Sequence, residues 1–211
     1  MHPLEQPARR RRVPAMAPEA RRKELIAVTL PLLREFGMAV TTRQIAEAAG
    51  VAEGTIFGVF PDKTSLFVAA ISAVFDTDQT VDKLRRLRNT ADLEERLVRA
   101  VELLVARYAT NGPVLELARS LPGDAAKVVI TMALEARRRL QEAVAELMEH
   151  DRERLRSSPE TAARFLTTLA FAAVRDQFGG DARIPGEQLV AVLLHGLLIE
   201  KNVNTGSRHT C

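Results

Sequence analysis

The stretch TTRQIAEAAGVAEGTIFGVFPDK, residues 41–63, decides how the chain is read. Thr41 stands three residues before Gln44, the spacing of a reciprocal capping box. Val40 before the cap and Ile45 in the first helical turns form a hydrophobic staple. Ile45, Ala46 and Ala49 then share one helical face. Gly50 follows where the helix must end, since glycine takes positive φ without a Cβ penalty. The pattern predicts a second short helix from Glu53 to Phe60, with Ile56, Val59 and Phe60 turned inward. Asp62 is placed to cap a third helix that opens at Lys63. Ala46 is small where the two short helices would cross. A capped helix, a glycine turn and a second short helix make a helix-turn-helix, whose second member enters the DNA major groove.

Composition sets the frame around this stretch. The chain has 211 residues, 46% of them hydrophobic, with no Trp and one Tyr. Ala, Leu, Glu and Arg dominate, all strong helix formers, so the expected fold is all-α. The formal net charge is +3. It is unevenly placed: residues 1–63 hold 10 Lys+Arg against 7 Asp+Glu, and the rest hold 20 of each. The excess positive charge thus sits beside the helix-turn-helix, as a phosphate-binding surface requires. Cys211 is the single cysteine. No disulfide or thiolate metal site can form within one chain, which points to a reducing cytoplasm. The basic N-terminus lacks the apolar stretch of a signal peptide, and no apolar run reaches the length of a membrane span.

The order IAEAAGV, then GTIF, then F-x-D-K closely resembles the DNA-binding domain of the TetR/AcrR family of bacterial repressors. The likeness is detailed from about Glu24 to Phe67 and beyond that is a shared plan of helices. It implies a three-helix DNA-binding head followed by a larger helical body, about nine helices in all. The resulting organisation is a basic arm over 1–17, a DNA-binding domain over 18–66, a helical ligand-binding and dimerisation domain over 67–202, and a polar tail over 203–211. The resemblance assigns DNA-facing positions to Thr42, Arg43, Glu53, Gly54, Thr55, Phe57, Gly58 and Lys63. Arg43 is suited to read a guanine through O6 and N7 or to hold a phosphate. Lys63 stands at the family's phosphate-clamping position. Phe57 stands where relatives often carry Tyr. Gly58 and Val59 occupy positions that are usually larger and more polar, and Ala52 replaces a common Ser cap. These departures leave a second reading open: a helical small-molecule-binding protein whose helix-turn-helix has decayed.

Working outward, the helix before the motif opens near Pro18 and ends at Gly37, with Pro31 removing one ladder bond. After the motif come an amphipathic helix over about Leu93 to Tyr108, a stop at Asn111-Gly112-Pro113 and a short helix from Val114 to Leu121. A long helix is expected from Ala125 to Arg156. Ser158-Pro159 then caps a helix to about Phe178, and a last helix spans Glu187 to Ile199. The last two are apolar on most faces. More apolar surface than one stripe implies a second surface to cover. The family plan makes that surface the interface of a two-fold homodimer. The family plan also places a small-molecule cavity in the second domain, for which Tyr108, Met132, Phe165 and Phe171 are the candidate lining residues and a neutral or weakly polar hydrophobic effector is expected. The expected partners are therefore double-stranded DNA, a second copy of the chain and a small effector. No cofactor and no metal is called for. The enzyme signatures HExxH, the P-loop and GxSxG do not occur, and His2, His150, His195 and His209 are scattered.

Overall fold

The computed structural model describes residues 17–174 and 184–197. The Arg9–Arg12 run, the tail over 203–211 with Cys211, and the far ends of the last two helices lie outside the described residues. Among the described residues there are nine α-helices and no strand. The all-α expectation holds. The chain divides after Phe67 into two compact units.

The first unit contains α1 (Pro18–Phe36), α2 (Thr42–Ala49), α3 (Glu53–Phe57) and the start of α4 (Lys63–Ala73). Helix α1 begins with proline in its first turn, where no N–H is needed, and continues through Pro31 to Phe36. Its Leu25 and Leu33 are buried together with Val40, Ile45, Ile56, Phe60 and Phe67. The Arg22 guanidinium lies 4.4 Å from the centre of the Phe60 ring and closes that small core by a cation–π contact.

Both ends of α2 are fixed by the residues that announced them. The Gln44 amide donates to Thr41 Oγ1 at 3.2 Å and the Thr41 amide donates to Gln44 Oε1 at 2.8 Å, completing the capping box. Gly50 sits at φ 63°, ψ 33°, in the left-handed region. The Val51 amide reaches back to the Ala46 carbonyl at 3.0 Å and the Gly50 amide to Glu47 at 3.2 Å. This is a Schellman ending. A Cβ built on Gly50 would meet nothing within 4 Å, so only backbone strain opposes a side chain there. Gly50→Ala is therefore expected to cost about 1–2 kcal/mol, read as a lower denaturant midpoint at constant slope.

Helix α3 is shorter than its pattern suggested. It ends at Phe57, with Gly58 as the closing residue. The Phe60 amide still donates to the Ile56 carbonyl at 2.8 Å, so Phe60 reaches the core from a turn instead of from the helix. Asp62 caps α4: the Ser65 amide donates to its carboxylate at 2.6 Å. That bond holds the Asp62 carboxyl below its ordinary pKa. The cap is thus in place at neutral pH and is lost only as pH falls through that lowered value.

The second unit comprises the rest of α4, α5 (Asp78–Arg86), α6 (Leu93–Leu117), α7 (Gly123–Glu146), α8 (Pro159–Val174) and α9 (Gly186–Leu197). Helices α6, α7, α8 and α9 pack around a core that includes Leu97, Leu104, Leu140, Val144, Leu166 and Val190. Asp92 caps α6 through the Glu95 amide at 2.8 Å, and Ser158 caps α8 through the Thr161 amide at 3.3 Å.

Two expected boundaries fail here. Helix α6 does not stop at Asn111-Gly112-Pro113 but runs through Pro113 to Leu117. Val114, one residue on, is fully buried. Burial of the continuing helix offsets the missing amide bond. The long helix expected to reach Arg156 ends at Glu146, and residues 149–154 form a 3-10 segment. Leu147 and Met148, at the break, are buried at 2% and 0% exposure, so the chain bends while keeping its core contacts.

Candidate nucleic-acid interface and ligand cavity

The residues singled out for DNA all lie in the first unit. Burial of Ile56 and Phe60 fixes which way α3 faces. Its other side carries Glu53, Gly54 and Phe57 in the open, Phe57 at 52% exposure. Gly58 is exposed beside them and Thr55 is half-buried. On α2, Arg43 is exposed and Thr42 is partly covered. The Thr42 hydroxyl donates to the Glu53 carboxylate and ties the start of α2 to the start of α3. Glu53 therefore braces the two helices.

Arg43 is held by a residue the sequence reading passed over. Its Nε donates to Glu47 Oε1 at 3.0 Å, one helical turn on. The i, i+4 spacing of Arg43 and Glu47 was the available signal. Both side chains are largely exposed, so the pair is weak and the guanidinium can exchange it for an anion. Lys63 is less free than Arg43. Its ammonium lies 4.9 Å from the Phe67 ring centre and within 3.5 Å of the Met38 carbonyl, and the residue is half-buried.

Gly54 has no atom within 4 Å of a built Cβ. In a helix glycine is about 1 kcal/mol worse than alanine. Gly54→Ala is expected to raise stability by about 0.5–1 kcal/mol and to weaken DNA binding, because the added methyl stands on the open face. Thermal unfolding and DNA anisotropy on the same variant check both halves.

A cavity of about 560 Å³ lies within the second unit. That is in the range of about 300–1,000 Å³ for small-molecule sites. Tyr108 and Phe171 line it and meet edge to face, ring centres 5.4 Å apart. Met132 and Phe165 do not line it; they are 40% and 55% exposed. Phe165 and Phe171 are six positions apart, which turns them about 120° from each other on one helix. Both could not face one cavity. The sequence reading also missed Arg107, Arg119 and Arg137, which line the cavity among apolar residues. Nothing local distinguishes them from the many surface arginines. Burial pushes the Tyr108 hydroxyl pKa up, against the opposing pull of Arg137 and Arg107.

Among the described residues no group of three His, Cys, Asp or Glu is arranged to hold a metal. No described helix is long and apolar enough to cross a membrane.

Comparison with known proteins agrees with this geometry. Residues 25–70 match the family model described as bacterial regulatory proteins, tetR family. Nucleoid occlusion factor SlmA of Actinobacillus pleuropneumoniae serotype 5b is 32% identical over 105 residues, 48% of this chain and 50% of that protein. The HTH-type transcriptional repressor KstR of Rhodococcus jostii is 41% identical over 61 residues, 28% of this chain and 29% of that protein. The chain thus spans half or less of these two relatives. A crystal structure assigned as a TetR-family transcriptional regulator from Mesorhizobium loti superposes with a TM-score of 0.73, covering 87% of this chain and all of that one at 16% identity. At that identity the likeness is one of fold. The tetR-family match thus covers residues 25–70, and the chain shares its fold with solved TetR-family regulators.

Proposed function

We propose that this chain is a ligand-responsive transcriptional repressor that binds a palindromic operator as a homodimer in the cytoplasm. The observation that carries the proposal is the exposed face of α3, set outward by buried Ile56 and Phe60 and joined by exposed Arg43 of α2. That surface has the residue types of a groove reader: a guanidinium, small residues that let backbone approach phosphate, and an apolar ring for a thymine methyl. Arg43, Thr42, Thr55 and Phe57 make the contacts, Gly54 and Gly58 allow close approach, Glu53 braces, and Lys63 reaches a phosphate on release from Met38.

Dimerisation through α8 and α9 is supported by side chains left uncovered in one protomer. Phe165 and Leu169 on α8 are 55% and 36% exposed, and Val192 on α9 is 74% exposed. The buried stripe of α8 holds Leu166 together with the small Ala162, Ala163 and Ala170. Large apolar side chains left outside a stripe that is already buried suit a helix with a second partner. Effector binding in the second-unit cavity lowers DNA affinity.

Fluorescence anisotropy with the DNA upstream of the chain's own gene tests this reading. Specific binding is expected to outlast binding to a scrambled duplex as salt is raised. Equal binding to both at every salt concentration overturns it and leaves the decayed helix-turn-helix.

A further inference from the structure

Among the described residues the cavity wall is mostly apolar, yet three arginines face it against one glutamate, Glu116. Arg119 lies 3.4 Å from Glu116. The other two have only neutral hydrogen-bond partners among the described residues. Arg107 donates to the Val74 carbonyl at 2.7 Å and to Thr80 Oγ1 at 3.4 Å. Arg137, exposed at the rim, donates to Thr168 Oγ1 at 2.8 Å. Both guanidiniums line the same cavity as Tyr108, and both oppose the upward shift that burial gives its hydroxyl. Burial holds the Arg107 pKa below its ordinary value, with smaller opposing effects from Tyr108 and Asp76. A half-buried cation whose hydrogen bonds all go to neutral oxygens, with burial outweighing the pull of Asp76, favours an anionic guest.

We propose that the effector is an amphipathic carboxylic acid, its carboxylate held by Arg107 and Arg137 and its apolar body lying along Val129, Leu140 and Phe171. The planar fork of a guanidinium matches a carboxylate through paired hydrogen bonds. A neutral guest of the same shape would offer neither guanidinium a charged acceptor within the cavity. The proposal rests on the reading of this cavity as the effector site, and it replaces the neutral hydrophobic molecule expected from sequence.

Arg107 does more than read charge. The Val74 carbonyl that it holds follows directly on α4, and Asn111 Nδ2 reaches the same oxygen at 3.4 Å. A carboxylate drawing Arg107 toward the cavity competes with that hold. The side chain that senses the acid is therefore the one that fixes the end of α4.

Isothermal titration of the full chain with decanoate and with 4-phenylbutanoate, each against the alcohol of the same carbon skeleton, tests the proposal. Each acid is expected to bind at least about tenfold tighter than its alcohol, a difference of about 1.4 kcal/mol. Arg107→Gln and Arg137→Gln should each reduce that advantage, lowering acid affinity more than alcohol affinity. Should Arg107→Gln fail to fold, Arg137→Gln at the exposed rim carries the test. Alcohols binding as well as the acids, neither acid binding, or an advantage that survives in both variants overturns the proposal. DNA anisotropy on the same samples separates the two readings. Acid-selective binding with unchanged DNA affinity keeps the acid site and overturns the effector role.

Discussion

Asp151→Ala is expected to cost about 3–5 kcal/mol of stability, the range for stranding one member of a buried ion pair. Arg96 lies on α6 and Asp151 in the 3-10 segment after α7; their side chains are only 6% and 14% exposed. One Arg96 Nη donates to the Asp151 carboxylate, and the other donates to the Thr90 carbonyl at 2.7 Å. Arg96 Nε is buried without a partner. Removing Asp151 leaves that guanidinium in the core with a single carbonyl. Arg96→Ala should cost less, because Asp151 keeps Arg154 at 2.6 Å. The double change Arg96→Met with Asp151→Leu should recover much of the loss, since apolar replacements of buried pairs are often neutral. Urea unfolding of the three variants checks the order. A cost below about 1 kcal/mol for Asp151→Ala would place the pair among surface bridges.

The second large effect is on DNA. Arg43→Ala should weaken specific binding about 10–100-fold, the equivalent of losing one good base or phosphate contact. Its folding stability should change by less than about 0.5 kcal/mol, because the bond to Glu47 is an exposed i, i+4 pair. If Arg43 reads a base, specificity relaxes at one operator position. If it holds a phosphate, the loss is uniform across sequences and the salt slope falls by about one. Glu47→Gln should act the other way, freeing Arg43 and removing a carboxylate from the groove-facing side. Unchanged binding in Arg43→Ala takes Arg43 out of the interface.

What could be read from sequence was local. The Thr41–Gln44 box, the Gly50 ending, the Asp62 cap and the Ser158 cap each depend on residues three to five apart. Each appears in the structure as the spacing demanded. Failures came where distant packing overrode a local signal. Pro113 reads as a break, but buried Val114 carries α6 past it. No glycine or proline marks the end of α7 at Glu146; Arg96, fifty-five residues from Asp151, helps to hold the chain after it. In α8 the apolar pattern covers nearly the whole circumference, so periodicity could not choose between Phe165 and Phe171 for the cavity. The small alanines face inward instead, because helices packed closely leave little room for rings. The cavity arginines were illegible for a related reason: their role comes from a shared cavity wall, not from any spacing along the chain.

The central claim is that two copies of this head read one duplex. Selection of bound sequences from a random duplex pool by the full chain measures it most directly. The account predicts an enriched inverted repeat whose half-sites are centred about one helical turn, roughly 34–36 Å, or a multiple of it, apart. Recovery of unrelated sequences, or of single unpaired half-sites bound by one protomer, would contradict it.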